Sequence, residues 1–561
     1  MSKIIAKGIE LPLVGGWFNQ LAITQVCTTG GNRPYPYTCK SPYVSYSALT
    51  DQTYSSRHLP ECSQEYLDSL PSLDQLNKLF QRPTLDNGES FQQKFCPKST
   101  YLFPTFAQYL VDSFINTDIK SVKPDKEVEF NWSKTSSPHD IGLCPLYGKS
   151  DEQTLQLRLC SNENNQKGLL KSQIIKGEEW AQFLFVDNGN GHEVKKEFDK
   201  LDYPQGLDHV CAMIPPEEAT QIKKNIFAFG GERANLNPNV AAMNTLLLRE
   251  HNRIAKEIEK ENPSWDDERV FQITRNTTVV LALKLIMEEY IGENIASFKL
   301  CPKIEPGEHT WKAGWNKPNW MSAEFSILYR LHALVPNTIQ WGEKDYTIME
   351  QVFHNDLLLK DSAMGSDLRK AFVNISNHRA TAFTLLNTET SYLYRRDVRA
   401  VEMGRACKLA PYGDYCEYMG EPRPKSFEDI TLDVNIQYAL EEVYGTVDKV
   451  EFFVGLVAAD HPNDSIFGTT MKKFIALDAF SQIYTNPLLS EHVWAKGPEV
   501  FSQYGFAMIT GGKACLRDVV ERNTKNGESL TDFVGMTNPN YVVKDAFSKL
   551  LSCKPAPRKK V

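Results

Sequence analysis

The chain has 561 residues, of which 41% are apolar and 24% charged, as in ordinary globular proteins. Its net charge of −8, with no basic block before residues 557–561, excludes a general nucleic-acid-binding protein. No run of about 18 apolar residues occurs, so no transmembrane helix is expected.

The first 40 residues are predicted to form an irregular segment. Lys7 and Glu10 interrupt its apolar residues, so it lacks the continuous apolar stretch of a signal peptide. Its apolar side chains, including Trp17, can pack on the chain itself or touch a membrane surface. The predicted location is therefore cytoplasmic or peripheral to a membrane.

The 12 cysteines are too sparse for a disulfide scaffold in a chain of this length. Cys39 and Cys62 are candidates for a pair, but reduced thiols are the expectation.

Helical periodicity dominates the chain from residue 101 onward. In chain order, helical structure is predicted at residues 73–80, 105–115, 239–259, 267–290, 322–336, 366–403 and 447–459. Small strands are predicted near residues 155–159 and 173–175. Because strands are few and no internal repeat appears, we predict a mainly α fold, with one catalytic body at residues 41–552 and a basic tail at 553–561.

The stretch at residues 322–336 places a phenol and an imidazole on one predicted helix face. Phe325, Leu328, Tyr329 and His332 recur at helical spacing, and Pro336 ends the helix. Such an imidazole can bind a haem iron while the phenol lies near the porphyrin. The competing interpretation is a histidine satisfied within the core.

Gln108 and Asp112 lie four residues apart and can point from one helix into a common pocket. Alternatively, Thr105 and Gln108 match a capping box, in which case Gln108 holds the helix start. The charged pentamer at residues 249–253 lies between apolar residues, which predicts a buried structural network with an Arg–carboxylate fork.

Three motifs, at residues 106–108, 247–253 and 324–336, occur in an order and spacing that resemble the animal haem peroxidase superfamily. Within it, the chain is similar to the prostaglandin endoperoxide synthases (cyclooxygenases), from about residue 41 to residue 535. The resemblance implies a helical haem peroxidase fold and non-covalently bound haem b.

The resemblance also implies roles for five residues. His332 matches the proximal haem ligand, and Tyr329 the tyrosine whose radical removes hydrogen from a polyunsaturated fatty acid. Tyr290 matches a tyrosine that positions the radical tyrosine, and Gln108 the distal glutamine. Phe325 matches an aromatic residue of the fatty-acid channel.

The distal side departs from the synthases. Asp112 stands where the family has its distal histidine, and a carboxylate with a pKa of about 3.9 is a poorer base than imidazole at neutral pH. We therefore expect weak or altered peroxidase activity. Residues 231–235 resemble the distal-arginine motif of the halide-oxidising branch, which makes Arg233 a candidate distal cation.

Other positions bear on the cofactor and the substrate. Val111 and Leu236 stand where the halide-oxidising branch esterifies its haem, and neither side chain forms an ester. The family's acetylatable serine falls on Ala479, or on Ser481 after a shift of two residues.

The growth-factor-like and membrane-binding modules of the synthases have no counterpart in this N-terminal segment. Arg33 and Lys40 are candidate substitutes for the arginine that the missing region supplies to the substrate carboxylate, and its tyrosine partner falls near Ser297 or Phe298. Phe453 stands where the synthases have a tyrosine near the proximal ligand.

The function that these residues predict is a haem-dependent fatty-acid dioxygenase, most specifically a cyclooxygenase acting on arachidonate-type fatty acids and O2, with peroxide as a further substrate. The alternatives are a dioxygenase that stops at a hydroperoxide, a peroxidase of small donors or halides, and a non-enzymatic relative. A homodimer and peripheral membrane contact are left open.

Overall fold

A computed structural model describes residues 15–28, 37–84, 91–121, 129–189, 191–295, 303–316, 320–462 and 465–541. Helices dominate these ranges and strands are short, which confirms the predicted fold class. Cys39 and Cys62 are both free thiols. Arg33, Ser297, Phe298 and the tail at 553–561 lie outside the described residues.

In the N-terminal half of the chain, the last two α-helices are the longest. In chain order they are α1 Gly15–Thr28, α2 Tyr46–Thr50, α3 Gln64–Asp68, α4 Leu73–Phe80, α5 Leu102–Phe114, α6 Cys144–Tyr147, α7 Asp151–Leu157, α8 Leu207–Ala212, α9 Pro216–Lys224, α10 Pro238–Glu261 and α11 Asp267–Lys284.

The C-terminal half continues the helical architecture. Its α-helices are α12 Glu308–Trp311, α13 Ala323–Leu328, α14 Asp356–Leu359, α15 Leu368–Asn377, α16 Ser391–Ala406, α17 Tyr412–Tyr418, α18 Val434–Tyr444, α19 Phe452–Ala458, α20 Thr469–Tyr484, α21 Glu491–Trp494, α22 Pro498–Thr510 and α23 Leu516–Arg522.

The described strands form two-stranded antiparallel pairs, most of them local hairpins. They are β1 Tyr37–Thr38 with β2 Ser56–Arg57, β3 Phe95–Thr100 with β12 Arg379–Thr381, β4 Thr117–Ser121 with β5 Glu129–Thr135, β6 Ser172–Ile175 with β7 Glu178–Ala181, β8 Phe185–Asp187 with β9 His192–Val194, and β10 Thr338–Trp341 with β11 Lys344–Thr347.

The strand predicted near residues 155–159 is wrong, because this stretch belongs to α7 and its C-terminal flank. The Ser150 side chain accepts a hydrogen bond from the Gln153 backbone N–H, and acidic residues fill the first turn, so local capping favours a helix. The strand predicted near residues 173–175 is confirmed as β6.

The core is built around α5, α10 and α11, with α10 packed against the other two. Asn237 caps α10 by accepting a hydrogen bond from the Val240 backbone N–H at 3.0 Å, and Pro238 occupies the first turn, where its missing N–H costs nothing.

The charged pentamer on α10 is confirmed as a structural network. Glu250, fully buried, accepts hydrogen bonds from Arg253 at 2.8 Å and from Asn523 at 2.7 Å, and it also pairs with Arg522. Arg249 donates to the Glu179 backbone carbonyl at 2.6 Å. These bonds tie α10 to α23 and to β7, so the charges hold elements together.

The predicted helix at residues 267–290 extends as α11 and then widens into a π-helix, Leu285–Ile295. Within it, Glu288 pairs with Lys284 at 2.8 Å and accepts the Ala514 backbone N–H at 2.7 Å. The stretch Asp267–Gly292 is long and apolar enough to cross a membrane, but 78% of its apolar window is buried inside the fold, as in a core helix.

The single helix predicted at residues 322–336 is wrong. Ser322 caps α13 by accepting from the Phe325 backbone N–H at 3.0 Å, but the helix ends at Leu328 and a 3-10 turn, His332–Leu334, follows. Tyr329 has φ −85° and ψ 11°, and the Leu331 N–H bonds the Tyr329 carbonyl. A tight turn therefore joins the phenol to the imidazole.

Two other predicted helices are also interrupted. Residues 366–403 divide into α15 and α16 with β12 between them, and residues 447–459 divide into a 3-10 turn, Val447–Lys449, followed by α19. The helix predicted at residues 73–80 is confirmed as α4, whose N-terminus carries a Ser72–Gln75 capping box.

Candidate active site

A cavity of about 800 Å³ lies between α5, the turn after α13, and α16. Four of the predicted site residues line it, namely Gln108, Arg233, Tyr329 and His332. These four come from three separate parts of the chain, so the fold itself brings together the side chains that the motifs single out.

His332 is held by a buried carboxylate. Its Nδ1 donates to Asp397 Oδ1 on α16 at 2.7 Å, and the Asp397 side chain is almost wholly buried. Burial raises the pKa of the Asp397 carboxyl, and the adjacent His332 opposes that rise. Because Nδ1 is engaged, Nε2 is the nitrogen left to bind a metal, and the carboxylate fixes the orientation of the ring.

Tyr329 and Tyr290 are both buried, and within the described ranges neither hydroxyl has a hydrogen-bond partner. Burial, with a smaller contribution from the Asp478 carboxylate, raises the pKa of Tyr329 far above that of a free phenol. Burial and the neighbouring Tyr329 do the same for Tyr290. Both phenols are therefore neutral over the physiological range.

Aromatic rings surround the two phenols. Phe325 meets Tyr329 edge-on with ring centroids 4.9 Å apart, and Phe103 stacks on Tyr290 at 4.7 Å. Phe106 lies 5.5 Å from Tyr290. This packing excludes water and hydrogen-bonding groups from the phenol rings.

The capping-box interpretation of Gln108 is wrong, because α5 begins at Leu102 and Thr105 lies inside it, donating to the Tyr101 carbonyl at 2.9 Å. Gln108 instead lines the cavity and donates to Asp112 Oδ1 at 2.8 Å.

Asp112 lies behind Gln108 and is paired with a cation. Arg233 Nε lies 3.0 Å from Asp112 Oδ1, and Arg233 Nη2 donates to the Ile115 carbonyl at 2.7 Å. Burial raises the pKa of Asp112 to about 6, against the opposing charge of Arg233. The expectation of an ordinary carboxyl pKa at this position is therefore wrong, because the site is shielded from water.

The residues predicted near the substrate or the proximal ligand lie in different surroundings. Phe325 and Ser481 are buried, and the Ser481 hydroxyl donates within its own helix to the Leu477 carbonyl at 2.8 Å. Lys40 pairs with Asp51 at 2.6 Å. Phe453 stacks on Phe80 with ring centroids 5.9 Å apart.

Sequence reasoning missed three polar residues beside the cavity. Arg396 and Asp397 lie in a charge-rich stretch that is typical of a solvated surface, whereas Arg330 stands between Tyr329 and His332 in an apolar segment. Only the packing of α16 against the turn at His332 shows their position beside the cavity. Burial and the like charges of Arg233 and Arg396 lower the pKa of Arg330 to about 10.

It also missed a buried polar cluster beyond Tyr329. Asp478 on α20 accepts a hydrogen bond from Ser322 Oγ at 3.0 Å and lies 3.0 Å from His58 Nε2. No motif in the sequence signals this cluster.

The sequence model of the animal haem peroxidase family matches residues 134–534, well over half of the chain. The chain belongs to the animal haem peroxidase family.

Relatives and solved structures agree with this family. Prostaglandin G/H synthase 1 of Mus musculus is 26% identical over 515 residues, covering 91% of this chain and 76% of the relative. Peroxidase A from Dictyostelium discoideum shares the fold with a TM-score of 0.61 at 18% identity, covering 91% of this chain and 99% of that one. The Oryza sativa fatty acid alpha-dioxygenase shares it with a TM-score of 0.63 at 15% identity, covering 93% and 92%.

Membership of this peroxidase family implies haem binding, and the cavity fits that group. Its walls include the apolar Val111, Leu236 and Val335, and His332 offers one free ring nitrogen as a metal ligand. His332 would hold the iron, and the apolar side chains would line the space for the porphyrin.

Proposed function

We propose that this oxidoreductase is a haem-dependent fatty-acid dioxygenase, and specifically a cyclooxygenase that converts arachidonate-type fatty acids and O2 to prostaglandin endoperoxides. The observation that carries the proposal is that Tyr329 and His332 line one cavity, while the buried Tyr329 hydroxyl has no hydrogen-bond partner among the residues that the structure describes. A small-donor peroxidase has no need of such a phenol.

The chemistry follows from what surrounds Tyr329. Haem, when bound, supplies the oxidising equivalent. Tyr329 would lose an electron and its phenolic proton to that oxidising group and become a phenoxyl radical, which would then take a hydrogen atom from a bis-allylic carbon of the fatty acid. O2 would add to the resulting carbon radical, and the final peroxyl radical would take a hydrogen atom from Tyr329, which forms the hydroperoxide group and restores the phenoxyl radical. Burial of Tyr329 and the edge-on contact of Phe325 shield the phenol from reductants dissolved in water.

The other residues of the cavity have proposed roles in peroxide reduction and haem binding. Gln108, Asp112 and Arg233 would act on peroxide. Asp112 would move its proton, and Arg233 would stabilise charge on the departing oxygen. The haem would be bound non-covalently, since Val111 and Leu236 carry no ester-forming group. Phe325, Ser481 and Arg33 remain predicted substrate-channel residues, and peripheral membrane contact and a homodimer remain predictions.

A dioxygenase that releases a hydroperoxide is the alternative, and the Asp478 cluster favours it. Ring closure requires a long acyl chain to bend beside the radical, which needs apolar space. Ser322, His58 and Asp478 form a buried polar cluster near Phe325 and Tyr329. A polar boundary there disfavours a bent apolar chain.

The deciding experiment is Tyr329→Phe in haem-reconstituted protein incubated with arachidonate. We expect O2 uptake to fall to background while the haem absorption spectrum persists, because the ring packing is kept and only the oxidisable hydroxyl is lost. Tyr438→Phe, at a tyrosine that is 67% exposed on α18, is the matched control and retains uptake.

O2 uptake that survives Tyr329→Phe would reject the radical mechanism at Tyr329. A wild type that oxidises small donors with peroxide but takes up no O2 with arachidonate would instead leave a small-donor peroxidase. Product analysis of the wild-type reaction separates endoperoxide from hydroperoxide. Protein that shows no haem absorption band after reconstitution would instead point to a non-enzymatic relative.

A further inference from the structure

Two arginines beside His332 have no carboxylate partner among the described residues, although guanidinium groups near a protein interior normally have one. Arg330 and Arg396 both line the haem cavity and an adjoining cavity of about 520 Å³, and His332 lines both as well. The two side chains therefore reach the same junction from the turn after α13 and from α16.

Arg330 makes only weak contacts. Its Nη2 lies 3.4 Å from the Thr117 hydroxyl and 3.9 Å from the Met403 sulfur, and its Nε is buried with no hydrogen-bond partner. Among the residues that the structure describes, no carboxylate lies within 4.0 Å of its guanidinium. Its five donors thus remain largely unused.

Arg396 also forms no ion pair within the described ranges. Its guanidinium lies over the Tyr392 ring, 4.2 Å from the centroid. The adjacent Asp397 Oδ1 accepts a hydrogen bond from His332. Arg233, Arg399 and Glu232 also line the adjoining cavity, where Arg233 is already paired with Asp112 and Glu232 with Lys149.

Like charges that converge on a cavity repel one another unless an anion joins them. We propose that Arg330 and Arg396 form a carboxylate-binding pair at the junction of the two cavities, which takes either the carboxylate edge of haem b or the carboxylate of the fatty acid. A planar guanidinium fork matches a carboxylate with two parallel hydrogen bonds. Only the fatty-acid source rests on the proposed function, since haem binding follows from the family.

The test uses full-length protein with Arg330→Gln, Arg396→Gln and the double substitution. Arg395→Gln removes the same charge from an exposed position next to Arg396 on α16 and is the matched control. Each protein is titrated by absorbance with haemin and with haemin dimethyl ester, which lacks free carboxylates. Michaelis constants are then measured for arachidonate and for arachidonyl alcohol.

If the pair binds the haem, the variants lose about tenfold or more in affinity for haemin but bind the dimethyl ester as the wild type does. If it binds the fatty acid, haemin affinity holds, while KM rises about tenfold for arachidonate and not for the alcohol. The haemin titration requires no dioxygenase activity, so it remains a valid test even if the proposed function is wrong.

The inference is overturned if the substitutions lower the affinities for haemin and for its ester equally, which would indicate a structural role. It is also overturned if neither these affinities nor the KM values change. Arg396→Lys, which keeps the charge, should restore part of the lost affinity. The wild type provides a further measurement, because added salt should weaken binding of the carboxylate form and leave the ester unaffected.

Discussion

Single residues near the cavity have properties that their identity alone does not predict. Asp112 is a carboxyl with a pKa of about 6 because burial removes its solvation, and Arg233 at 3.0 Å limits the rise. A base with a pKa near working pH suits proton transfer better than an ordinary aspartate does. The distal side is thus closer to a functional acid–base site than the substitution of histidine suggests.

Peroxide turnover with a small donor should rise with pH through about 6, because Asp112 accepts a proton only when ionised. Asp112→Asn should lower turnover by roughly 100-fold or more and flatten this part of the pH profile. Steady-state rates from pH 5 to 8 measure both effects, and Asp187→Asn at an exposed strand position is the control.

Asp112→His should raise turnover, since the ordinary pKa of imidazole, about 6.5, lies close to neutral pH. Unchanged rates in both Asp112 variants would remove this residue from peroxide chemistry.

Asp397 provides the second test at this scale. Asp397→Ala should weaken haem binding by roughly 10–100-fold, because His332 loses the partner that orients its ring. Asp397→Asn keeps an acceptor oxygen and should lose less. Haem titration by absorbance measures both, and equal affinity in the alanine variant would show that the 2.7 Å contact does not hold the ligand.

At the scale of elements, interruptions of regular helix create the site. α13 ends at Leu328, and the turn that follows brings His332 to Asp397 on α16. A continuous helix would place the imidazole in a different position. The π-helix after α11 carries Tyr290 into the aromatic cluster with Phe103. Wider helical turns of this kind recur at functional sites.

The network at Glu250 should make α10 acid-sensitive. Although burial acts to raise it, the hydrogen bond from Arg253 and the charge of Arg522 hold the pKa of Glu250 at about 2, below its usual 4.5. A lowered folded-state pKa contributes stability that is complete above the unfolded pKa and is lost as pH falls toward 2.

Glu250→Gln should therefore lower the free energy of unfolding at pH 7 by about 1.5–3 kcal/mol, because the half-buried Arg253 and Arg522 lose their charged partner. The difference from wild type should shrink as pH falls below 4.5. Denaturant unfolding at several pH values measures this, with the partly exposed Glu257 on the same helix, changed to Gln, as control. A constant difference across pH would contradict the assignment.

At the scale of the whole molecule, the cavity depends on long-range packing. α5 supplies Gln108, the segment before α10 supplies Arg233, the turn after α13 supplies Tyr329 and His332, and α16 supplies Arg396. These parts lie far apart in sequence, so the site forms only when the helical core has assembled. Local helix propensity explains α4 and α10, whose bounds follow from their caps.

The fold class, the buried network at residues 249–253 and the family motifs could all be predicted from the amino-acid sequence, because hydrophobic periodicity and spaced polar residues are local properties. That α13 stops before His332, that Asp397 pairs with this histidine and that Asp112 is shielded from water became visible only in the folded chain. Burial and contacts between distant segments set the direction, protonation and pairing of these side chains. Periodicity along a chain carries none of that information.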